Sequence, residues 1–450
     1  MRFSELDDAT IGVWGAGREV GSFAAQLAKR LPSARIAVAV FDSPPPAQAL
    51  EQLQSPGVEV LGAGEAVDGL GDCDVVVRSP GVSIHRSELR GLRAAGVPVT
   101  TPTALWLEEH GGGGVIGVSG TKGKSTTAAL MHHVALAAGH TAQLAGNIGI
   151  PALDLLDRAP SELVVLELSS YQIADLAAGP EVALLTNLYR EHTDWHGSEE
   201  AYRADKLRLL ELPGVSTAVL NVREHALAAL SPRAALRPYG TPSGWDVGPE
   251  GVTRAGVVML ELGELPLPGE HNALNLCGAL TALDALGLDA PTPLNEALAD
   301  FRALAHRLET VAEYGGITWV NDSISTTPES TLAALASFPG RELVLIAGGQ
   351  DRGQDYGELG EMLAALGATV IGLPSTGPRL LEAARAAGVA PERSLRAEDL
   401  AGAVELARSR SGDVVLLSPA APSYDHYRDF EQRGERFREL VALAARSAAP

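Results

Sequence analysis

The stretch Gly117-Val118-Ser119-Gly120-Thr121-Lys122-Gly123-Lys124-Ser125-Thr126 joins an apolar segment to a helical run through a glycine-rich turn. A turn of this kind lets successive backbone N–H groups face a polyphosphate. The helix that follows adds its positive N-terminal end, Lys124 a mobile cation and Ser125 a hydroxyl able to ligate Mg²⁺. The general phosphate-loop pattern places a glycine five residues before Gly123, where this chain has Val118, with glycines at 117 and 120 instead. The spacing GxxGTxGKS is therefore a subtype of the loop. A glycine turn that bound nothing would have no need of Lys-Ser, so the stretch points to an α/β protein that uses ATP or GTP.

With 450 residues, 46% of them apolar, the chain is long enough for about three domains of ordinary size. Its 35 basic and 56 acidic residues leave a net charge of −21, which argues against nonspecific affinity for nucleic acid or an anionic membrane. Aromatic residues make up 4%, too few for a ladder of base-stacking platforms. The expected partners are small molecules, held by a local site. Cys73 and Cys277 suggest neither a disulfide framework nor a metal site and read as buried thiols. The start, Met1-Arg2-Phe3-Ser4-Glu5, is not a signal peptide, and no run of 18 apolar residues occurs, so a cytoplasmic protein is expected; a monomer is the separate expectation for its assembly.

Short β-branched runs at 10–14, 35–41 and 74–78 alternate with helical patterns at 21–30 and 87–95, which predicts a parallel sheet flanked by helices over residues 1–108. Its first turn, Gly15-Ala16-Gly17-Arg18-Glu19-Val20-Gly21, is one residue longer than the NAD fingerprint, and Asp42 ends the second run where an acid commonly meets a ribose. Nucleotide recognition other than NAD fits best. A dinucleotide-dependent oxidoreductase and a nucleotide-binding scaffold without chemistry are the rival readings. The tract Gly111–Gly114 reads as a linker into a central domain over 109–303, and the α/β pattern restarts for a third domain over 304–450.

Polar groups follow several apolar runs. Glu167 ends one some forty residues after the phosphate loop, where a carboxylate can reach a Mg²⁺ held by Ser125. Asn187 precedes Glu191-His192-Thr193-Asp194-Trp195-His196, in which His192 suits metal ligation or proton transfer; there is no HExxH, and His196 reads as structural. Lys206 lies on a mixed-charge helix. Arg307 and Asp322, beside apolar segments, suit an adenine nucleotide, the arginine on phosphate and the acid on ribose.

Taken in order, Gly120–Thr126, Gly146-Asn147-Ile148-Gly149, Glu167-Leu168-Ser169-Ser170-Tyr171-Gln172, Tyr202–Lys206, Gly269–Asn275, His306-Arg307, Asn321-Asp322-Ser323 and Phe430-Glu431-Gln432-Arg433-Gly434 resemble the Mur ligase family over nearly the whole chain. The segments around Glu167 and Phe430 resemble its glutamate-adding branch. The resemblance implies an N-terminal Rossmann-like domain, a central ATPase-like domain and a C-terminal dinucleotide-fold-like domain. It implies ATP-driven addition of D-glutamate to UDP-N-acetylmuramoyl-L-alanine through an acyl phosphate, in peptidoglycan synthesis. By the same carry-over Gly120, Thr121, Lys122, Gly123, Lys124, Ser125, Thr126, Asn275, Arg307 and Asp322 match ATP contacts. Of two Mg²⁺ ions, one falls to Ser125 and Glu167 and the other to His192 and a carbamylated Lys206; Lys124, His192 and Lys206 are the catalytic expectations. Arg18, Glu19, Asp42, Ser79 and Gly81 match the uridine diphosphate site, Asn147 and His192 the muramoyl group, and Thr326, Ser423 and Phe430 the glutamate pocket. One departure stands out: where the family has a lysine on a glutamate carboxylate, this chain has Ile324. The charge must come from elsewhere, with Arg352 and Arg428 as candidates, or the acceptor is L-glutamate, which a related branch adds.

Overall fold

The alternating apolar runs form strands because a parallel sheet covered by helices on both faces buries every side chain of its strands. In a computed structural model of the chain the described residues are 1–42, 47–53, 55, 57–189, 193–267, 269–302, 305–351, 353–410 and 412–448, the side chains of 47–49, 193, 194, 329, 333, 447 and 448 excepted. They divide into two units, Met1–Arg302 and Ala303–Pro450.

The first unit opens with β1 (Thr10–Trp14), β2 (Arg35–Phe41), β3 (Glu59–Gly62), β4 (Val75–Arg78) and β5 (Val99–Thr100), a parallel sheet in the order β3-β2-β1-β4-β5. The order reverses beside β1, so the turn Gly15–Gly17 opens into the crevice where such sheets bind nucleotides. A second sheet follows, from β6 (Val115–Ser119), β7 (Ala142–Gly146), β8 (Leu163–Glu167), β9 (Val182–Leu185), β10 (Thr217–Asn221) and β11 (Ala235–Tyr239), ordered β11-β10-β9-β6-β8-β7. All residues of β6, β8, β9 and β10 are buried. The register sets Val118 beside Glu167 and Leu184, and Gly146 beside Glu167, so four strands end level around the phosphate-loop sequence. An antiparallel sheet of β12 (Trp245–Val247), β13 (Gly251–Arg254) and β14 (Val257–Glu261) completes the unit beside the buried helix Glu270–Ala285.

The second unit holds β15 (Glu309–Tyr314), β16 (Ile317–Asn321), β17 (Leu343–Ala347), β18 (Thr369–Gly372), β19 (Ser394–Arg396) and β20 (Val414–Leu417), ordered β15-β16-β20-β17-β18-β19 with β15 antiparallel. The last strand in sequence thus slots between β16 and β17, and two hydrophobic cores cover the two faces.

Three sheets of this kind match the expected α/β class, but Gly111–Gly114 is not a free linker. Thr101 caps the helix Pro102–His110, Gly111 ends it at φ 68°, and Gly114 N–H donates to Glu181 at 2.9 Å. A Cβ on Gly112 would lie 2.3 Å from the Gly179 carbonyl, so close backbone packing demands glycine there, while Gly111 and Gly114 adopt positive φ. The first two sheets accordingly share one unit. Arg78, fully buried at the end of β4, fastens them with hydrogen bonds to both Asp175 oxygens at 2.8 and 3.1 Å and to the carbonyls of Tyr171 and Val82. Breaking one side of such a buried pair strands the other charge. Arg78→Ala should therefore lower the denaturant stability of this unit by about 3–5 kcal/mol, whereas breaking an exposed pair such as Arg408–Glu405 should leave stability almost unchanged.

Candidate active site

The phosphate-loop sequence leaves β6 and enters the helix Lys124–Ala137, with Gly120 at φ 143° and Gly123 at φ 81°. A Cβ would sit 1.9 Å from Thr186 Oγ1 at the first and 2.5 Å from Asn275 Oδ1 at the second, so both glycines are required by neighbours as well as by backbone angle. Side chains from the end of β9 clasp the loop. Asn187 Oδ1 accepts from the N–H groups of Thr121 and Lys122 at 3.0 and 2.7 Å, and Thr186 Oγ1 donates to the Lys122 carbonyl at 2.6 Å. From the helix Glu199–Leu207, Tyr202 O–H meets Thr121 Oγ1 at 2.7 Å and buried Lys206 donates to the Gly120 carbonyl at 2.8 Å. Lys124 Nζ donates to the Thr121 carbonyl at 2.9 Å. Lys124, Ser125 and Thr126 open their helix, where backbone donors and the dipole favour an anion.

Glu167, 0% exposed at the end of β8, accepts from Asn147 Nδ2 at 3.0 Å through one carboxylate oxygen. Its other oxygen is buried without a hydrogen-bond partner among the described residues. An ionised oxygen in that state asks for a cation, so Glu167 and the buried Ser125 fit a Mg²⁺ site. His192 lies outside the described residues. Lys206 instead contacts the loop directly through its amine. His196 proves to be hydrogen-bonded on both ring nitrogens, to Asp205 at 2.6 Å and to Ser170 at 2.9 Å, in keeping with the structural reading. Asp205 also meets His85 at 3.1 Å, so the segment that carries Lys206 is braced against the N-terminal sheet.

At the first sheet's crevice, Ser79 and Gly81 follow β4 and Asp42 follows β2, all at strand ends around Gly15. Asp42 is exposed and pairs with Arg86 at 2.8 Å. Arg18 and Glu19, expected at uridine diphosphate, are held by protein groups. Arg18 donates to the carbonyls of Gly146, Asn147 and Gly149 at 2.8–2.9 Å. Glu19 accepts from Gln172 at 2.7 Å and Thr103 at 2.8 Å, and desolvation pushes its carboxyl above the usual range.

In the second unit the strand ends of β16, β20 and β17 gather Asn321, Asp322, Ser323, Ser418 and Gly348. Asp322 is 2% exposed and accepts from Leu308 N–H at 3.2 Å and Ser418 O–H at 2.7 Å. Burial raises its carboxyl, and these bonds tie it to the loop after β16. Arg307 sits between His306 and Leu308, both at positive φ, and its Nε is buried without a hydrogen-bond partner among the described residues. Two strained residues flanking an arginine with donor capacity to spare are the pattern of a ligand contact. Ile324 and Thr326 are half-buried; Ser423 is buried and Phe430 turns its ring edge to His306. Arg352 lies outside the described residues, and Arg428 is exposed against Asp429. The cation that sequence reading did not single out is Arg433. It is 1% exposed, donates to Ser323 and the Ala421 carbonyl, and is pushed down to about 10 by burial.

With this geometry in view, comparison with known proteins decides the family. Residues 118–283 match the Mur ligase middle domain and residues 306–421 the Mur ligase glutamate ligase domain. The chain belongs to the Mur ligase family. A protein of Xanthomonas euvesicatoria called UDP-N-acetylmuramoyl-L-alanine–L-glutamate ligase is 41% identical over 98% of this chain and 97% of its own length. One of the same description from Micromonospora is 42% identical over 98% of both. The crystal structure of a UDP-N-acetylmuramate–alanine ligase from Thermotoga maritima, 20% identical, shares the fold with a TM-score of 0.58 over 97% of this chain. As a Mur ligase the chain is an ATP-dependent ligase of peptidoglycan-precursor synthesis that uses Mg²⁺.

His306 gives the Mur ligase C-terminal unit a pH dependence. Its Nδ1 accepts from Asn321 at 2.9 Å, and burial lowers its pKa despite nearby Glu309 and Glu435. The unfolded chain therefore takes up the proton first as pH falls through about 6.5, and stability present above that value is lost below it. Thermal unfolding of the full chain should show a smaller drop between about pH 7.5 and 5.5 in His306→Gln than in the parent.

Proposed function

We propose that the chain joins the carboxylate of UDP-N-acetylmuramoyl-L-alanine to the amine of L-glutamate at the expense of ATP. The carrying observation is the acceptor named for relatives 39–42% identical over essentially the whole chain, which is L-glutamate throughout. Ile324 agrees with it, since the lysine that the D-glutamate-adding pattern calls for is replaced by a side chain that cannot pair with a carboxylate. D-glutamate, the first expectation from sequence, thus gives way to the alternative.

The chemistry needs two steps. A carboxylate oxygen of the L-alanyl group attacks the γ-phosphorus, the bond to the β–γ bridging oxygen breaks, and ADP leaves with that electron pair. The glutamate amine then adds to the acyl carbon, the tetrahedral intermediate expels phosphate, and the nitrogen loses a proton. The first step brings two anions together, so it is governed by the positive groups around the transferred phosphoryl. Lys124 and the N-terminal end of its helix supply that charge, and Asn187, Thr186 and Tyr202 keep the loop from adjusting during the transfer. Mg²⁺, held by Ser125 and Glu167, would neutralise phosphate oxygens. A second ion fits the proposal if the Lys206 amine, now a donor to Gly120, takes up CO₂ and releases a proton to become a carbamate, an anionic ligand to serve with His192. Asn147 and the crevice at Ser79, Gly81 and Asp42 are the proposed seats of the nucleotide precursor; Arg307 and Asn275 are proposed ATP contacts, and Thr326, Ser423 and Phe430 acceptor contacts. The enzyme is proposed to act as a cytoplasmic monomer.

Phosphate release with UDP-N-acetylmuramoyl-L-alanine, ATP, Mg²⁺ and each glutamate enantiomer tests the acceptor. L-glutamate should support turnover and D-glutamate should give less than about a hundredth of it, since a misplaced amine loses the alignment that drives the second step; the reverse preference would overturn the assignment. Lys206→Ala should lose activity by about 100-fold or more and regain part of it with added formate or acetate. Full activity in the variant would remove Lys206 from the mechanism.

A further inference from the structure

Arg18 opens the first helix of the N-terminal sheet, at the turn where uridine diphosphate is expected, yet its guanidinium is spent on another segment. Nη1 donates to the Gly149 carbonyl at 2.8 Å, and Nη2 to those of Gly146 and Asn147 at 2.9 Å each. Three carbonyls converging on one planar cation is a task for which lysine lacks the geometry. The segment they belong to is folded tightly onto β8. Gly146 has φ 97° and Gly149 φ 69°, and a Cβ on them would lie 2.3 Å from the Glu167 carbonyl and 2.1 Å from the Leu144 carbonyl. Between them, Asn147 N–H donates to the Glu167 carbonyl at 3.0 Å and its amide to one Glu167 carboxylate oxygen, also at 3.0 Å.

The next residue works on the opposite flank. Glu19 accepts from Gln172 Nε2, and Gln172 Oε1 in turn accepts from the N–H of Ser169, two residues beyond Glu167, at 2.8 Å. Adjacent residues of one turn therefore hold the Gly146–Gly149 turn and the backbone just beyond Glu167, whose second carboxylate oxygen has no hydrogen-bond partner among the described residues.

We infer that Arg18 is a positioning residue for the cation site: through the Gly146–Gly149 turn and the Asn147 amide it fixes the rotamer of Glu167 that leaves one oxygen for Mg²⁺. This rests on the ligase reading above. It also separates Arg18 from the uridine contacts, because a guanidinium that holds the turn acts on the cation, whereas one that holds diphosphate acts on precursor binding.

The test measures Mn²⁺, as a stand-in for Mg²⁺, binding to the full-length enzyme with a non-hydrolysable ATP analogue, followed by electron paramagnetic resonance and isothermal calorimetry. Arg18→Lys and Arg18→Ala should both weaken Mn²⁺ binding by about 10- to 100-fold, the loss common for residues that orient a metal ligand, and Asn147→Ala should do the same. In the two Arg18 variants the KM for the uridine precursor should change much less than the Mn²⁺ affinity, whereas Asn147→Ala, which also removes a proposed precursor contact, should raise both. Arg18→Lys, which keeps the charge but replaces the planar fork by a single ammonium nitrogen, carries the test if the alanine variant does not fold. Unchanged Mn²⁺ affinity with a raised precursor KM would overturn the inference and return Arg18 to the uridine site. Failure of the parent enzyme to bind Mn²⁺ with the nucleotide would count against the ligase reading itself and so against the inference that depends on it.

Discussion

A carboxylate oxygen sealed at the end of a buried strand without a hydrogen-bond partner is costly to fold, and among the described residues Glu167 holds one. The architecture around it makes sense as the means of keeping that cost in place until a cation arrives. The strand register brings Val118 and Gly146 level with Glu167, so the phosphate loop and the Asn147 turn flank it on either side. The loop cannot relax toward it, because Asn187, Thr186, Tyr202 and Lys206 hold its backbone and its threonine. Strain of this kind is tolerated where the surrounding structure over-determines it. The parallel sheet supplies that rigidity, with every residue of its central strands buried.

The site divides between parts that local sequence encodes and parts that only the fold creates. Gly120, Gly123, Lys124 and Ser125 were legible because a phosphate-binding turn fixes spacing over ten residues, and Glu167 was legible because an acid after an unbroken apolar run has few other uses. Arg18 and Glu19 were read as ligand contacts on resemblance alone. Their partners lie about 130 and 150 residues away in the chain, and no local pattern announces them. Gly111–Gly114 misled for a related reason, since glycine serves equally for a flexible linker and for backbone packed against Gly179. Asp322 shows the same limit: its bond from Ser418, nearly a hundred residues later, has no local signal in the sequence.

The C-terminal unit departs from the general pattern of the family at the residue that would judge the acceptor. Ile324 is half-buried, and its N–H donates to the His306 carbonyl at 3.1 Å, so its loop is held by backbone while its side chain brings no charge. The buried cation of this region, Arg433, is occupied with Ser323 and Ala421 and supports the loop. Without that fixed positive charge the acceptor site lacks the carboxylate anchor that the D-glutamate-adding pattern calls for, which removes a basis for preferring the D-enantiomer. That is the physical reason to join Ile324 to the acceptor named for the relatives.

The central claim is that the phosphate loop and Glu167 serve transfer of the γ-phosphoryl group to a carboxylate. It is tested most directly by supplying UDP-N-acetylmuramoyl-L-alanine labelled with ¹⁸O in its terminal carboxylate and following the label during ligation by mass spectrometry. One labelled oxygen should appear in the inorganic phosphate for each amide bond formed, because the oxygen that attacks phosphorus leaves with it. Phosphate free of label alongside an intact ligation product would contradict the account.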